Sequence, residues 1–215
     1  MMSRILSIDV FFDFICPWCL IGKRQLQVAL LKLQESHPDV EVVLTWRGVQ
    51  LLPHIPVEGV PFDAFYQQRL GSPEAVRMRQ SQVRQAANAV DVDIDFSNIK
   101  LMPNTAKAHQ LLAMAIQFGT ATQIDQLLEG LFSAYFNLSE DLGNSENLLK
   151  IAQSCDFDTD VINNTLGQLN QPFNSANTGS NGVPYFIFNQ RLAVAGAHPA
   201  ETLYNAMLEA LVTQG

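Results

Sequence analysis

Hydrophobic and polar positions divide the chain into strand-rich ends and a helical middle. Residues 5–12 are rich in Ile, Val and Phe with few breakers, the composition of a strand covered on both faces. Residues 17–35 repeat apolar side chains at i, i+3, i+4 and i+7 from Leu26, which predicts an amphipathic helix. Residues 40–46 return to β-branched and aromatic composition. This order predicts a right-handed βαβ unit.

The next hundred residues lose strand character after a proline-rich loop. Helices are predicted over 62–70, 73–90, 105–118, 121–137, 145–154 and 159–169. Two of these begin with a capping side chain ahead of an acidic first turn, at Ser72-Pro73-Glu74 and Asn144-Ser145-Glu146. The region predicts an all-helical insertion. The polar run 171–182 then predicts a loop that returns to the first domain.

The C-terminal part resumes the strand pattern. Strands are predicted over 185–188 and 192–195, joined by a tight turn at Asn189-Gln190, and a last helix starts from Pro199. The sequence therefore predicts an α/β chain in which residues 1–60 and 171–215 form one discontinuous domain. Residues 61–170 form the helical insertion.

Composition and charge exclude several classes of protein. The 215 residues are 47% hydrophobic, and 13 basic against 21 acidic side chains leave a net charge of −8. That charge repels phosphate backbones, so no nucleic-acid partner is expected. No apolar run approaches the length of about 18 residues that a membrane helix needs, and no cleavable targeting pattern opens the chain. We expect a cytosolic protein with no membrane contact.

The cysteines indicate a chemical function. Three cysteines are too few for a secreted disulfide framework, but Cys16-Pro17-Trp18-Cys19 stands where the first strand ends and the first helix begins. A helix N-terminus favours a thiolate at Cys16, and Pro17 suits the first helical turn. Cys19 lies one turn on, close enough to resolve a mixed disulfide formed by Cys16. The pattern predicts a redox pair with Cys16 as nucleophile and Cys19 as resolving thiol.

A zinc site is the main alternative for a single C-x-x-C pair. Structural zinc needs four ligands, and the sequence has no second pair of cysteines or histidines at ligand spacing. The sequence therefore predicts no metal, and redox chemistry is favoured. A non-enzymatic zinc- or partner-binding module remains open as a hypothesis.

Other side chains carry two interpretations each. Phe14 and Trp18 are predicted to form an apolar lip near Cys16 that receives peptide side chains, although the many phenylalanines mostly indicate core packing. Cys155 is either an inert buried thiol or a redox sensor. His109 is either a hydrogen-bonded structural histidine or a base. Arg47 binds an anionic group such as a glutathione carboxylate, or forms an ordinary surface ion pair.

The motifs resemble those of the DsbA family of thioredoxin-fold oxidoreductases, and in particular its FrnE-like cytosolic branch. They extend in order over nearly the whole chain: Phe11-Phe12-Asp13-Phe14-Ile15-Cys16-Pro17-Trp18-Cys19, Ile21-Gly22-Lys23-Arg24, Trp46-Arg47, Gly71-Ser72-Pro73-Glu74-Ala75, Pro103-Asn104-Thr105, Ala108-His109, Gly182-Val183-Pro184 and Gly196-Ala197-His198-Pro199. The resemblance implies a thioredoxin-like fold with a large all-helical insertion. It also implies exchange of disulfides with protein or small-molecule thiols.

The resemblance assigns further roles near the cysteine pair. Pro184 is expected to be cis and to lie against the pair, leaving the Val183 backbone to hold an extended substrate, with Pro17 and Trp18 also in contact. No cofactor is implied beyond the redox-active disulfide, and glutathione is a candidate co-substrate. A reducing compartment favours the reductase or isomerase direction.

Two departures from the family pattern change the expected chemistry. DsbA has a histidine where this chain has Trp18, so we expect a less oxidising pair here. Thioredoxin and DsbA place an acid six residues before the nucleophile, where this chain has Val10. Asp13 is then either a proton acceptor for Cys19 or a cap of the turn.

A second enzyme class shares the inserted-helix architecture. Kappa-class glutathione transferases and hydroxychromene-carboxylate isomerases resemble this chain, but they carry serine at the position of Cys16 and lack the paired cysteine. The intact pair favours disulfide exchange, and a glutathione-dependent enzyme of that group is the alternative.

Overall fold

A computed structural model describes residues 4–168, 172–178 and 182–212. The elements, in chain order, are β1 (Arg4–Phe12), α1 (Pro17–Ser36), β2 (Val40–Gly48), β3 (Val60–Pro61), α2 (Phe62–Leu70), α3 (Pro73–Asn88), β4 (Leu101–Met102), α4 (Ala106–Phe118), α5 (Ala121–Phe136), α6 (Ser145–Ser154), α7 (Thr159–Gln168), β5 (Tyr185–Phe188), β6 (Leu192–Ala195) and α8 (Ala200–Val212). This is a mixed α/β fold of the predicted class.

The chain divides into two compact units. The first combines Met1–Val49 with Ala176–Gly215, and the second is Gln50–Ser175. The sequence predicts these boundaries at 60/61 and 170/171 instead. Within the second unit the Asn104 amide donates to the Ile55 carbonyl at 2.6 Å and accepts from the Gln50 side chain at 2.9 Å. These tertiary hydrogen bonds place the loop before residue 60 with the helices.

A four-stranded sheet organises the first unit, in the order β2-β1-β5-β6. β1 and β2 are parallel, with Arg4 opposite Val40, which confirms the strand–helix–strand prediction. β5 is antiparallel to β1, and β6 is antiparallel to β5. Side chains of alternate strand residues pack against one side of α1 and α8. This core consists of Leu6, Ile8, Val10, Leu26, Ala29, Leu33, Phe186, Phe188, Leu203, Ala206, Met207, Ala210 and Leu211.

The predicted hairpin turn is confirmed. Asn189 and Gln190 both have positive φ, 48° and 57°, and the Arg191 N–H donates to the Phe188 carbonyl at 3.0 Å. The Asn189 side chain accepts from the Ser7 N–H and donates to the Ala210 carbonyl, both at 2.9 Å. Asparagine tolerates this left-handed backbone well, and here its amide also links β1 to α8.

The second unit contains α2 to α7, and α4 and α5 carry more buried residues than α2, α3 and α6. Both predicted caps are present: the Ser72 hydroxyl accepts from the Ala75 N–H, and the Asn144 amide accepts from the Glu146 N–H. The all-helical prediction misses the short antiparallel pair of β3 and β4, in which Val60 lies opposite Met102. Strands of two residues carry no periodicity, so only tertiary contact reveals them.

Two predicted stretches extend beyond the described residues. Residues 172–178 of the predicted loop are irregular in the structure, whereas residues 171 and 179–181 lie outside the description, as does residue 169 of the last inserted helix. Of the helices in the described ranges, none has both the length and the apolar character required to cross a membrane.

Candidate active site

Cys16 lies between the end of β1 and the start of α1. A turn between them is closed by the Cys16 N–H, which donates to the Asp13 carbonyl at 3.1 Å. Cys16 has extended backbone (φ −92°, ψ 108°) and directly precedes Pro17, the first residue of α1. Its side chain makes no capping hydrogen bond to the helix, so the sulfur is not used as a cap. The predicted placement at a helix N-terminus, where a negative charge is favoured, is confirmed.

Cys19 lies one turn further and deeper in the protein. Its exposed fraction is 3%, against 8% for Cys16, and both thiols are free. Burial, a hydrogen bond to Cys16 and the negative charges of Cys16 and Asp13 raise the pKa of Cys19 well above its ordinary value. Cys19 therefore keeps its proton while Cys16 is the more accessible sulfur. A nucleophile and a resolving thiol differ in this way.

The loop before β5 contacts Cys16. The Cys16 thiol donates to the Val183 carbonyl at 3.7 Å, and the Val183–Pro184 peptide bond is cis, as the resemblance implies. The Gly196 N–H donates to the Pro184 carbonyl at 2.8 Å, which ties this loop to the residue after β6. Val183 is half-buried and Pro184 is buried. The Val183 carbonyl is thus next to the Cys16 sulfur.

Gly22 of α1 allows the helix to approach this loop closely. A Cβ atom at Gly22 would lie 3.0 Å from Pro184 Cγ and 3.3 Å from both Pro184 Cβ and Phe186 Cζ. Only glycine fits without displacing one of these rings. Gly22 is part of a motif in the sequence, but its role is not visible there because its neighbour Pro184 is 162 residues away along the chain.

Two buried ionisable side chains lie in the turn and helix that carry the cysteines. Asp13 is 0% exposed and Lys23 is 2% exposed. Asp13 is close enough to Cys19 for its charge and its backbone to influence that thiol. Lys23 follows Cys19 by four residues, so it lies on the same face of α1. In the sequence Lys23 stands out only as part of a motif, with no role assigned to it. Its place on the stripe shared with Cys19, Gly22 and Leu26 is the signal that indicates its burial.

The predicted apolar lip requires a correction. Phe14 is 0% exposed and packs edge-to-face on Phe12, with ring centroids 5.0 Å apart, so it belongs to the core and does not face a substrate. A buried position right after a strand cannot be told from an exposed lip by residue type alone. Pro17 and Trp18 are half-buried beside Cys16 and offer the accessible apolar surface here.

The three remaining candidates have contacts of their own. Arg47 binds Asp9, with both Nε and Nη2 at 2.8 Å from Oδ1, so the ion-pair interpretation describes the structure. His109 belongs to α4 of the second unit, where it is buried and stacks on Phe173 with ring centroids 4.9 Å apart. Cys155 ends α6 and is also buried, and burial raises its pKa. In the described part of the chain, His, Cys, Asp and Glu side chains form no group of three or more that could hold a metal.

Comparison with known proteins assigns the family. The model of the DSBA-like thioredoxin domain matches residues 7–208. The chain belongs to the DSBA-like thioredoxin family. A curated relative, the uncharacterized protein YwbO of Bacillus subtilis, is 24% identical over 151 residues. That match covers 70% of this chain and 66% of YwbO, which is just under two thirds of its length.

Solved structures share the fold. The "probable DsbA oxidoreductase" SCO1869 of Streptomyces coelicolor aligns with a TM-score of 0.83 at 23% identity, covering 95% of this chain and 89% of that one. A 2-hydroxychromene-2-carboxylate isomerase aligns with a TM-score of 0.60 at 13% identity, covering 97% and 95%. Both likenesses support the thioredoxin-like fold with a helical insertion. The second also shows that this architecture is shared with an isomerase.

Proposed function

We propose that the protein is a thiol–disulfide oxidoreductase that exchanges disulfides with protein or small-molecule thiols through Cys16 and Cys19. The observation that carries the proposal is the arrangement of three groups: the Cys16 thiol at a helix N-terminus, the Val183 carbonyl 3.7 Å away, and Cys19 buried behind with a raised pKa. This arrangement pairs a reactive sulfur with backbone that can bind an extended peptide.

In the reductive direction, the Cys16 thiolate attacks one sulfur of a substrate disulfide. A Cys16–substrate disulfide forms, and the other substrate sulfur leaves as a thiolate that takes up a proton. Cys19 then loses its proton and attacks Cys16 Sγ, which forms the Cys16–Cys19 disulfide and releases the second substrate sulfur. Two electrons pass from the cysteine pair to the substrate. A dithiol or two molecules of a thiol such as glutathione restore the pair.

Substrate is held by the Val183-Pro184 loop and by the half-buried side chains of Pro17 and Trp18. When Cys16 reacts with a substrate, its thiol no longer donates to the Val183 carbonyl. That carbonyl then becomes available to accept from a substrate N–H, as one strand accepts from the next. In this proposal Val183 and Pro184 position the substrate, and Cys16 and Cys19 carry out the chemistry.

We assign proton acceptance from Cys19 to Asp13. Its buried carboxylate lies close to the thiol, and a positioned acceptor contributes about 10² to 10⁴ in rate. Asp13→Asn keeps the size of the side chain and removes its carboxylate. The test is single-turnover resolution of a Cys16 mixed disulfide across pH. An Asn variant that resolves as fast as wild type near neutral pH would leave Asp13 with only a structural role.

We propose the reductase or isomerase direction because we expect a cytosolic, reducing location. Trp18 offers no positive charge to the Cys16 thiolate, whereas DsbA has a histidine at this position. We therefore expect a reduction potential below the value of about −120 mV that characterises DsbA. Equilibration with glutathione measures this potential, and a value equal to that of DsbA would reverse the assigned direction.

The activity is tested by catalysed reduction of insulin with a dithiol as reductant. Wild type should accelerate insulin reduction, Cys16→Ser should not, and Cys155→Ser should match wild type because it removes the third cysteine alone. An inactive wild type, or a Cys16→Ser variant as active as wild type, would end the proposal. Cys19→Ala should trap covalent partners that wild type releases, which identifies substrates.

A glutathione-dependent isomerase or transferase of the kappa type is the second candidate, supported by the fold shared with 2-hydroxychromene-2-carboxylate isomerase. Such an enzyme uses glutathione as a nucleophile and needs no second cysteine. Glutathione-dependent activity on an electrophile that survives Cys19→Ala would favour it. Stoichiometric zinc that is lost with Cys16 would instead favour a metal-binding module.

A further inference from the structure

One side of the first unit exposes an apolar surface at the edge of its sheet. α1 contacts α8 along one flank: the Gln25 side chain accepts from the Ala200 N–H, and Lys32 pairs with Glu201. The opposite flank of α1 lies over β2, and β2 is the edge strand of the sheet among the described residues. A helix that packs on one flank and leaves the other apolar and exposed usually has a partner there.

The exposed flank forms a groove with β2. Its volume is about 660 Å³, and its wall includes Leu30, Leu31 and Gln34 from α1 and Val42 and Leu44 from β2. None of the side chains that line it is charged, although the chain has 34 charged residues. Leu31 is 61% exposed and Leu44 is 37% exposed. Exposed leucines with no charged side chains around them are typical of the centre of a protein interface.

β2 also lacks the features that protect edge strands. Its nine residues, Val40–Gly48, contain no proline and no lysine, and Val43 on the face opposite the groove is 45% exposed. At its two ends the Val40 N–H donates to the His37 carbonyl at 3.0 Å and the Gly48 carbonyl accepts from the Ala176 N–H at 2.8 Å. Between these ends, a long apolar edge of this kind offers backbone groups to another strand. The two charges of the strand are Glu41 and Arg47, so the edge carries no net charge.

The charge pattern of β2 is complementary to itself. Glu41 and Arg47 each stand three residues from Leu44, on opposite sides. Two copies of β2 that pair antiparallel about Leu44 would place each Glu41 opposite the Arg47 of the other copy. Opposite charges across a strand pair are stabilising, and like charges are not. Arg47 uses one carboxylate oxygen of Asp9, and a guanidinium with five donors can bind a second carboxylate.

We propose that two copies of this chain associate through β2, forming a continuous eight-stranded sheet with Leu44 on the twofold axis. The α1 helices of the two copies then lie side by side over the joined strands. Leu31 of each copy faces the groove of the other, which removes both leucines from water. A net charge of −8 on each copy opposes association, so the neutral, self-complementary edge is the surface where two copies can meet.

The experiment is sedimentation equilibrium of the full chain from micromolar to sub-millimolar concentration. Wild type should have twice the chain mass of 23.9 kDa. Leu44→Lys places two ammonium groups together on the axis and should weaken the dimer by about thirtyfold or more, the effect of a central interface residue. Val212→Lys is the matched control, because Val212 is 80% exposed at the end of α8 and should leave the mass unchanged.

The charge pair supplies a second test that is independent of packing. Glu41→Arg and Arg47→Glu should each weaken the dimer, because each places like charges opposite one another, whereas the double variant Glu41→Arg/Arg47→Glu should restore it. Circular dichroism and urea unfolding verify that each variant is folded. A wild type that is monomeric throughout, a dimer that persists in folded Leu44→Lys, or a double variant weaker than both single variants would overturn the proposal. So would a monomer that binds a different protein through this edge.

Discussion

Replacing Gly22 with alanine tests whether close approach of α1 to the Val183-Pro184 loop supports the active site. The added Cβ would meet three carbon atoms at 3.0 to 3.3 Å, belonging to the rings of Pro184 and Phe186. Neither ring can yield easily: the proline is closed on its own backbone, and Phe186 is fully buried. The contact must therefore be relieved by moving α1 or the loop.

The magnitude follows from two opposing effects. Alanine in a helix interior is favoured over glycine by about 1 kcal/mol, and overpacking a buried contact costs about 1–3 kcal/mol. We expect Gly22→Ala to lower the free energy of unfolding by about 0–2 kcal/mol. A shift of a few tenths of an ångström between Cys16 and the loop should also slow insulin reduction about three- to tenfold.

Urea unfolding measures the stability and insulin reduction measures the activity. Gly130→Ala in α5 is the matched control, because its Cβ would approach a single methyl carbon, Cγ2 of Ile151, at 3.0 Å. We expect the Gly22→Ala protein to be less stable than the Gly130→Ala protein and to reduce insulin more slowly. A Gly22→Ala protein that gains about 1 kcal/mol with unchanged activity would refute the reasoning, since helix propensity alone predicts that result.

Three further predictions concern the charges and thiols. Cys19 has a raised pKa in the folded state, so its contribution to stability is present below the ordinary thiol pKa of about 8.5 and is lost as pH rises toward the folded value. Urea unfolding of the reduced protein should show the free energy of unfolding falling in this alkaline range. Cys19→Ala should make this fall with pH less steep, and an equally steep fall in the variant would show that Cys19 does not cause it. Lys23 is 2% exposed, and a buried ammonium group needs partners inside the protein, so Lys23→Met should leave those partners unpaired and cost about 3–5 kcal/mol. The control Lys32→Met removes a half-exposed charge and should cost at most about 1 kcal/mol; equal losses at both lysines would refute the buried-charge reasoning. Cys155 should react with a thiol reagent more slowly than Cys16 in the native protein, because burial raises its pKa, and faster modification of Cys155 would instead support a sensor role.

The sequence predicts the features of this protein that depend on local pattern. Apolar and β-branched composition places β1 and β2, helical spacing places α1, and residue type places the turn at Asn189 and Gln190. The position of Cys16 at a helix N-terminus follows from the same local signals, because strand composition stops and Pro17 begins a helix. The resemblance of the motifs to a known family then predicts the thioredoxin-like fold of the whole chain, and the match over residues 7–208 confirms it.

Tertiary structure decides the features that depend on which distant residues meet. Phe14 and Trp18 are both aromatic neighbours of Cys16, yet packing on Phe12 buries one while the other remains half-exposed. The fit of Gly22 against Pro184 joins positions far apart in the chain. The sequence pattern indicates whether a segment forms a helix or a strand. Burial and contacts of a side chain depend on the rest of the fold, so only the tertiary structure determines the environment of the cysteine pair.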